Sequence, residues 1–471
     1  MSKKIKIIST FVILLLALPA LYFYNSGLLD DLPVGKGYAA KYLCSYVFNS
    51  DFDEQQVIDR YIAKKVKPLP LIWTVDVDHD AQEVRVGDKF LGDDAVAFYK
   101  EGKGCTLLID RTREEVAAIP FTPSTTQSLP ADQPWPHGSG PVVTAHRDID
   151  MGRIQNAADA LFSHDMAHTT SVVVIHRGEL IFERYGQGAS KDTRLLGWSM
   201  TKTLTGMLIG KLADQGVLDL DAPAPIREWA QTDRADITTR QLVNMTGGVL
   251  VNEDYTKFSD VTQMLYLESD QHGYAVNQPK VHTAGEHFAY STAETNRLAA
   301  IIQQHFGSQQ AVYNFYQQEL FYPLGITDGF IEFDAHGQLV GGAYGFLKAR
   351  DWARIGQLYL QGGEWNGEQV LSKEWVDFAL AESEQSPIYG GQLWINAEKK
   401  RWKDVPDVRY LSGHQGQRVV MIPSHDLVIV RTGITEDHRL QRRLIGNLIR
   451  DVMASVQTTA SSHEAQDKPN S

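Results

Sequence analysis

The sequence predicts an α/β (α+β) fold, in which one antiparallel sheet is flanked by the first and last helices of the main domain. Two β-hairpins are predicted far apart in the chain, one at residues 171–186 and one at residues 417–432. Helical spacing of apolar residues dominates the stretch between them, so we expect a helical layer with a cleft between it and the sheet. A small N-terminal module and an N-terminal membrane segment are predicted to precede this domain.

Residues 1–28 have the pattern of a signal anchor or a signal peptide. Lysines at positions 3, 4 and 6 precede residues 7–24, which are almost wholly apolar. This run is long enough to span a bilayer and no Ala-x-Ala cleavage site follows it, so an uncleaved anchor is favoured over a cleaved signal peptide. The charges on either side place the main domain outside the cytoplasm, in the periplasm of a Gram-negative source, or secreted if the segment is cleaved.

The charge and the cysteine content exclude some classes of function. The chain has 471 residues and a net charge of −13, and it lacks the basic patch that nucleic-acid binding requires. Cys44 and Cys105 are its two cysteines, which are too few for a cysteine-based metal site. They form a disulfide if the chain is exported, or remain two buried thiols. The sequence does not indicate the oligomeric state.

The region before the main domain divides into two predicted parts. Residues 35–120 have the pattern of a small separate module of unknown role, with short predicted strands at residues 71–77, 84–86 and 106–109. Residues 121–145 are rich in Pro, Ser, Thr and Gly, which indicates a linker or an extended arm lying on the next domain. Trp135 stands between two prolines and is expected to pack onto a surface.

The main domain is predicted to span residues 146–456. Its first helix is expected at residues 154–162 and its closing helix at residues 439–456, so that the two hairpins lie just inside these helices. A short capped helix closed by glycine is predicted at residues 237–248. The polar tail at residues 457–471 is expected to be disordered.

A predicted helix in this domain carries the first pattern that indicates catalytic chemistry. Its apolar residues recur at helical spacing, at Leu204, Met207, Leu208, Ile209 and Leu212. Ser199 and Lys202 lie at the start of this pattern and three residues apart, which places both side chains on one helix face. Burial and the positive end of the helix dipole favour a neutral lysine, which can accept the proton of a serine nucleophile. The motif alone also fits a solvated serine and a surface lysine.

Two later stretches could complete a site around Ser199. Tyr290 is predicted at an exposed loop tip before a helix, where a phenol can exchange protons with a lysine, although a half-buried core tyrosine fits the same pattern. His414 lies between glycines at the start of a strand, whose backbone N–H groups could point at a bound carbonyl. Because no second His or carboxylate stands at ligand spacing, no metal site is predicted.

In this order, the three stretches resemble the serine β-lactamase and penicillin-binding-protein superfamily. The resemblance is closest to its class C-like branch of serine hydrolases, with esterases, D-aminopeptidases and 6-aminohexanoate-dimer hydrolases. Residues 199–202 match the Ser-x-x-Lys motif, residues 290–292 stand where the family has Tyr-x-Asn, and residues 414–416 stand where it has Lys-Thr-Gly or His-x-Gly. Residues 237–248 and 252–255 are similar to the family's Thr-x-x-x-Leu-Leu segment and to a substrate-side loop of the dimer hydrolases. The resemblance extends over residues 154–456.

The resemblance implies a role for each matching residue. Ser199 would be the acylated nucleophile and Lys202 its base, while Tyr290 would protonate the leaving group and then assist the attack of water. The backbone N–H groups of Ser199 and Gln417 would form the oxyanion hole. The neighbouring substrate-binding positions would be His414, Gly416 and Thr292. No cofactor and no metal are implied.

The sequence departs from the family pattern at two of these positions. Thr292 replaces an asparagine, and His414 replaces a lysine that would attract the carboxylate of a β-lactam. Both changes favour an esterase or amidase acting on a small ester or amide over an efficient β-lactamase. A D,D-peptidase acting on cell-wall peptide and a catalytically idle sensor or scaffold remain the alternatives.

Overall fold

The computed structural model describes residues 27–89, 92–124, 128–142, 148–249, 252–397, 401–403, 405 and 407–457. In this part of the chain, every helix is too short or too polar to cross a membrane. The membrane segment predicted at residues 7–24 lies outside the described residues, as does the polar tail from residue 458 onward.

The N-terminal region consists of a long helix packed against a four-stranded antiparallel sheet in the order β1-β2-β3-β4. The elements of this region are α1 Leu28–Cys44, α2 Glu54–Val57, β1 Trp73–Asp78, β2 Glu83–Asp88, β3 Ala95–Lys100, β4 Gly104–Leu108 and α3 Arg113–Ala117. A disulfide joins Cys44 at the end of α1 to Cys105 in β4, which is the first of the two states left open by the sequence. The three strands predicted here are present, with shifted ends, whereas α1 and β3 were not predicted.

Helix α1 also packs against the main domain. Tyr38 meets Tyr266 with ring centroids 5.5 Å apart, and Tyr42 stacks on Trp198 at 5.8 Å. These contacts belong to one hydrophobic core that continues from the N-terminal region into the main domain. The domain boundaries at residues 35–120, 121–145 and 146–456 stay predictions.

A six-stranded antiparallel sheet in the order β12-β13-β14-β15-β5-β6 forms the centre of the main domain. Its strands are β5 Thr169–His176, β6 Glu179–Tyr185, β12 Trp394–Ile395, β13 Arg409–Gly413, β14 Gln417–Ile422 and β15 Leu427–Gly433. Strand β5 runs beside β15, so the two predicted hairpins share one sheet, as predicted. Arg177 and Gly178, both at positive φ, make the tight turn of the first hairpin.

Both faces of this sheet are covered, which explains why its strands are almost continuously apolar. Helices α4 (Met151–Phe162) and α13 (His438–Gln457) pack together on one face, as predicted for the first and last helices. Helix α11 (Ala349–Leu360) covers the other face. Along β5, Val172 and Val174 point to the first face, and Val173 and Ile175 point to the second.

The middle of the chain forms the predicted helical layer. Its helices are α5 Thr201–Asp214, α6 Thr239–Val243, α7 Asp260–Tyr266, α8 Gln271–Asn277, α9 Thr292–Phe306, α10 Gln309–Tyr316 and α12 Lys373–Leu380. Helix α6 has the expected cap, because Thr238 and Gln241 form a capping box. It ends at Val243, since Met245 takes a left-handed conformation (φ 60°) before any glycine is reached.

Short strands and an extended arm complete the structure. The strands are β7 Arg194–Leu196, β8 Phe330–Ile331, β9 Gly345–Lys348, β10 Glu364–Trp365 and β11 Glu368–Gln369. Strands β7, β9 and β8 form one small sheet, and β7 leads directly into the turn that holds Ser199. The described part of the Pro-rich stretch lies on α11, where Trp135 is 3% exposed and Arg350 donates to the carbonyls of Ser139 and Gly140 at 3.0 Å. Trp135 therefore packs onto a surface, as expected.

Candidate active site

Ser199 lies in a one-turn 3₁₀ segment, Trp198–Met200, between β7 and α5. Trp198 has a φ of 48°, a left-handed conformation that is rare for a bulky residue and occurs mostly at functional sites. Gly197 precedes it because no side chain fits there: a Cβ atom would lie 2.2 Å from the Trp352 ring. Ser199 is half-buried at the positive end of α5.

The Lys202 amine is surrounded by three oxygen atoms. Its Nζ donates to Ser199 Oγ at 3.0 Å, to Thr292 Oγ1 at 2.9 Å and to the carbonyl of Gly342 at 2.8 Å. The residue is 1% exposed, and this burial lowers the pKa of the amine below its ordinary value, although the charge of Glu253 partly opposes the change. Ser199 and Lys202 therefore meet as the motif spacing predicted.

Tyr290 lies beside this pair, in the loop that leads into α9. Its ring centroid is 5.1 Å from Lys202 Nζ, and its hydroxyl interacts with Ser199. The residue is half-buried rather than at an exposed tip, because Trp394 and Tyr389 pack against its ring at 5.0 and 5.9 Å. Burial and the nearby Glu253 charge raise the pKa of the phenol, so Tyr290 is protonated at neutral pH.

Thr292 is the first residue of α9, and its hydroxyl connects Lys202 to two further side chains. Thr292 Oγ1 donates to Glu253 Oε2 at 3.1 Å and lies 2.9 Å from the Tyr255 hydroxyl. The backbone N–H of Thr292 also donates to Glu253 Oε1. Ser291 caps the helix, which fixes the position of Thr292.

Glu253 is a site residue that sequence reasoning missed. Burial raises the pKa of its carboxyl above the ordinary value, while Lys202 and its hydrogen bonds with Thr292 and Tyr255 lower it. The loop at residues 252–255 had been singled out only as a substrate-side loop. Its distance from Lys202 in the sequence gives no sign that the two groups interact, because the fold, and not the local sequence, brings them near each other.

The turn that holds His414 and Gly416 lies against the turn that holds Ser199. Strand β13 ends at Gly413, where a Cβ atom would be 2.1 Å from the carbonyl oxygen of Gly197, so only glycine permits this approach. The 3₁₀ segment His414–Gly416 follows and β14 begins at Gln417. The Gln417 side chain bonds to the backbone of Gly433, at 2.6 and 3.0 Å, so an oxyanion contact would use its backbone N–H.

Two buried arginines brace this turn from behind. Arg418 donates to the carbonyls of Gly413 and Gln417 at 3.0 and 2.6 Å, and Arg431 donates to Gly416 at 3.1 Å. Burial lowers the pKa of both guanidinium groups to about 9. Neither arginine was predicted as part of the site.

His414 is part of an aromatic wall. Its ring lies 5.3 Å from that of Trp198 and 5.2 Å from that of Tyr255. Burial, with the positive charges of Lys65 and His438, lowers its pKa to about 3, so the ring is neutral at neutral pH. A cavity of about 80 Å³ lies against these three rings and extends to α1, with Leu32, Tyr38, Lys65, Leu69 and Tyr266 among its other lining residues.

The structure thus gathers Ser199, Lys202, Tyr290 and Thr292 into one site, with His414 in the adjoining wall. In the described part of the chain, no three His, Cys, Asp or Glu side chains are grouped so that they could hold a metal ion. Cys44 and Cys105 form their disulfide in the N-terminal region, at α1 and β4.

Comparison with known proteins gives the family of the chain. The model of a family described as Beta-lactamase matches residues 158–437, more than half of the chain. The 6-aminohexanoate-dimer hydrolase of Paenarthrobacter ureafaciens is 26% identical over 293 residues, which cover 56% of this chain and 72% of that protein.

Solved structures show the same fold. A Bacillus anthracis protein named after 6-aminohexanoate-dimer hydrolase has a TM-score of 0.55 at 22% identity, over 70% of this chain and 88% of that one. A penicillin-binding-protein homologue from Caulobacter crescentus has a TM-score of 0.53 at 15% identity, over 66% of this chain and 99% of that one. The chain therefore belongs to the beta-lactamase family, within the serine β-lactamase and penicillin-binding-protein superfamily, and is a hydrolase of the β-lactamase-related type.

Proposed function

We propose that this hydrolase acts on a small ester or amide through an acyl-enzyme formed on Ser199. The observation that carries the proposal is the 3.0 Å contact between Ser199 Oγ and Lys202 Nζ. A neutral lysine has one lone pair, and the other two partners of Lys202 leave that lone pair for the serine proton.

The reaction begins when Ser199 Oγ attacks the substrate carbonyl and its proton passes to Lys202. The backbone N–H groups of Ser199 and Gln417 stabilise the oxyanion that forms. Tyr290, which is protonated at neutral pH, donates a proton to the leaving group. It then accepts a proton from the water that attacks the acyl-enzyme. As the bond between the acyl group and Ser199 Oγ breaks, Lys202 returns its proton to Ser199 Oγ and the acid product leaves.

The surroundings of His414 favour a substrate that carries no carboxylate near its reacting carbonyl, and so argue against a β-lactam substrate. A neutral imidazole between Trp198 and Tyr255 does not offer the positive charge that a lysine would offer to a carboxylate. The adjoining cavity of about 80 Å³ suits a group of a few non-hydrogen atoms. The 6-aminohexanoate-dimer hydrolase relative, whose name describes hydrolysis of a 6-aminohexanoate dimer, supports the same class of substrate.

An extracytoplasmic location is part of the proposal. The disulfide between Cys44 and Cys105 supports it, because disulfides persist in oxidising compartments. Residues 7–24 would anchor the protein in the membrane, with the catalytic domain in the periplasm of a Gram-negative source.

The test compares hydrolysis of a short-chain aryl ester, a linear amide and a penicillin by the wild type and Ser199→Ala. We expect turnover of the ester or the amide that is lost in Ser199→Ala. A long-lived adduct with penicillin alone would instead favour a D,D-peptidase. No reaction with any of the three would favour an idle sensor or scaffold.

A further inference from the structure

The network behind Lys202 has one polar group that the proposed mechanism does not use. Glu253 binds both the backbone N–H and the hydroxyl of Thr292, and the same hydroxyl contacts Lys202 and Tyr255. Thr292 is fully buried, so its hydroxyl has no water to satisfy it and depends on these neighbours.

The hydroxyl of Thr292 has one hydrogen and two lone pairs, which limits how these contacts can be arranged. An ionised carboxylate only accepts hydrogen bonds, so the bond to Glu253 Oε2 at 3.1 Å uses the single hydrogen of Thr292. One lone pair then accepts from Lys202 at 2.9 Å, and the other faces the Tyr255 hydroxyl, 2.9 Å away. The bond to Glu253 thus keeps the hydrogen of this hydroxyl directed away from Lys202.

The same accounting fixes the orientation of a neutral Lys202. Its two N–H bonds go to Thr292 and to the carbonyl of Gly342, which can only accept. The amine lone pair is then left for the third neighbour, Ser199. A Thr292 hydroxyl that donated to Lys202 would occupy this lone pair and compete with the serine.

We propose that Glu253 is a positioning residue that acts through Thr292 to keep the lone pair of Lys202 directed at Ser199. The inference rests on the proposed function, because it assumes that Lys202 is the base. Glu253 does not touch the reacting atoms, and its contribution consists of orienting the Thr292 hydroxyl.

The charge of Glu253 has a second, measurable effect on the same amine. The titratable groups that interact with it are Lys202 on α5, Tyr255 in its own loop, Tyr290 before α9 and Tyr389 before β12. The three tyrosines are protonated at neutral pH, since burial raises the pKa of each phenol. Lys202 and Glu253, whose own pKa burial raises to about 7, are thus the groups that titrate here, and the carboxylate raises the pKa of the lysine.

The test uses a fluorophosphonate, which labels an activated serine whatever the natural substrate is. Ser199 Oγ forms the new bond to phosphorus, the phosphorus–fluorine bond breaks, fluoride leaves and the serine proton passes to Lys202. The labelling rate is measured against pH by intact mass. We expect Glu253→Gln to lower the plateau rate about tenfold, less than the loss of a general base itself, and to move the midpoint of the rise to lower pH.

Glu294→Gln is the matched control, because it removes another buried carboxylate from the first turn of α9. Glu294 pairs with Arg297 at 3.3 Å and does not contact Lys202 in the structure. We expect this variant to keep both the wild-type rate and the wild-type midpoint. A Glu253→Gln variant with the wild-type plateau and midpoint would overturn the inference while leaving the proposed function intact. A wild type that is not labelled on Ser199 would overturn both.

Thr292→Val tests the path from Glu253 through Thr292 to Lys202 without altering the carboxylate. It replaces Glu253→Gln as the test if that variant fails to fold. The change removes the hydroxyl and keeps the shape of the side chain. We expect a plateau rate about tenfold lower, and adding Glu253→Gln should lower it further by less than about twofold. A Thr292→Val variant that keeps the wild-type rate, or a full tenfold effect of Glu253→Gln in that background, would contradict the route through Thr292.

Discussion

The Lys202 side chain is 1% exposed, and its amine has three oxygen atoms of the protein as hydrogen-bonding neighbours. Burial favours the neutral amine, whereas the ionised Glu253 favours the ammonium, and burial is the larger of the two effects. An ordinary lysine, with a pKa of about 10.4, would be almost fully protonated at neutral pH and could not serve as a base. The proposed role of Lys202 therefore requires that its amine stays buried, because burial lowers its pKa.

The pH dependence of catalysis tests this point. Protonated Lys202 cannot accept the serine proton, so kcat/KM should rise as pH increases. Because the pKa is lowered, the rise should level off below the ordinary lysine value of about 10.4. The measurement is kcat/KM for an aryl ester across the neutral and alkaline range, with Lys202→Arg as an inactive control. A rate still rising at the pKa of an ordinary lysine would contradict the account.

At the scale of elements, the site depends on how closely β13 approaches the turn that holds Ser199. Gly413 lies directly against the carbonyl of Gly197, with no room for a methyl group. The guanidinium groups of Arg418 and Arg431 hold the carbonyls of the following turn. This packing fixes the distance between Ser199 and the start of β14, and with it the geometry of the proposed oxyanion hole.

Gly413→Ala should therefore impair catalysis more than folding. The added Cβ atom would lie 2.1 Å from a backbone oxygen, so the turn and the strand must move apart. A misplacement of about 1 Å can cost about a hundredfold in rate, so we expect kcat/KM to fall by ten- to a hundredfold.

Gly152→Ala is the control for this substitution. Gly152 lies in α4, where the nearest atom to an added Cβ is 3.4 Å away, and alanine is favoured in a helix. Its kcat/KM should match the wild type. A Gly413→Ala variant with unchanged kcat/KM would show that the close approach is not needed.

At the scale of the whole molecule, the region before the family match takes part in building the site. Helix α1 packs on Trp198, next to Ser199, and lines the cavity beside this tryptophan. The fully buried Glu332 holds this helix in place, because its carboxylate accepts a hydrogen bond from Lys41 of α1. The same carboxylate also accepts from Asn49 Nδ2 and from the backbone N–H of Cys105, both at 2.7 Å. The wall of the cavity beside Trp198 thus depends on a buried ion pair.

Breaking this ion pair should destabilise the protein strongly. Lys41→Met leaves the buried Glu332 carboxylate without its cation, which typically costs about 3–5 kcal/mol of unfolding free energy. Denaturant unfolding measures the loss. Lys191→Met removes an exposed cation paired with Asp192 and should change stability by less than about 1 kcal/mol. Equal stability of the two variants would contradict the assigned role of the Lys41–Glu332 pair.

The sequence predicted those parts of the structure whose signals are local. The spacing of Ser199 and Lys202 and the two hairpins of the central sheet are set by neighbouring residues, and all are present. Helix α1 was missed because it is buried on nearly all sides, and its buried Lys36 and Lys41 interrupt the apolar spacing.

The second group of site residues could not be found in this way. Glu253, Arg418 and Arg431 reach the site through contacts between elements that are far apart in the chain. No spacing rule connects Glu253 to Lys202, and a buried arginine in a strand has no pattern of its own. The position of Tyr290 was predicted, but its burial depends on Trp394, which the fold brings from another part of the chain.

The most direct test of the central claim is to trap the acyl-enzyme. The protein is mixed with a slowly hydrolysed aryl ester, quenched with acid and analysed by intact mass and peptide mapping. The account predicts an adduct of one acyl group on Ser199 that disappears with time and is absent from Ser199→Ala. An adduct on another residue, or ester hydrolysis that persists in Ser199→Ala, would contradict it.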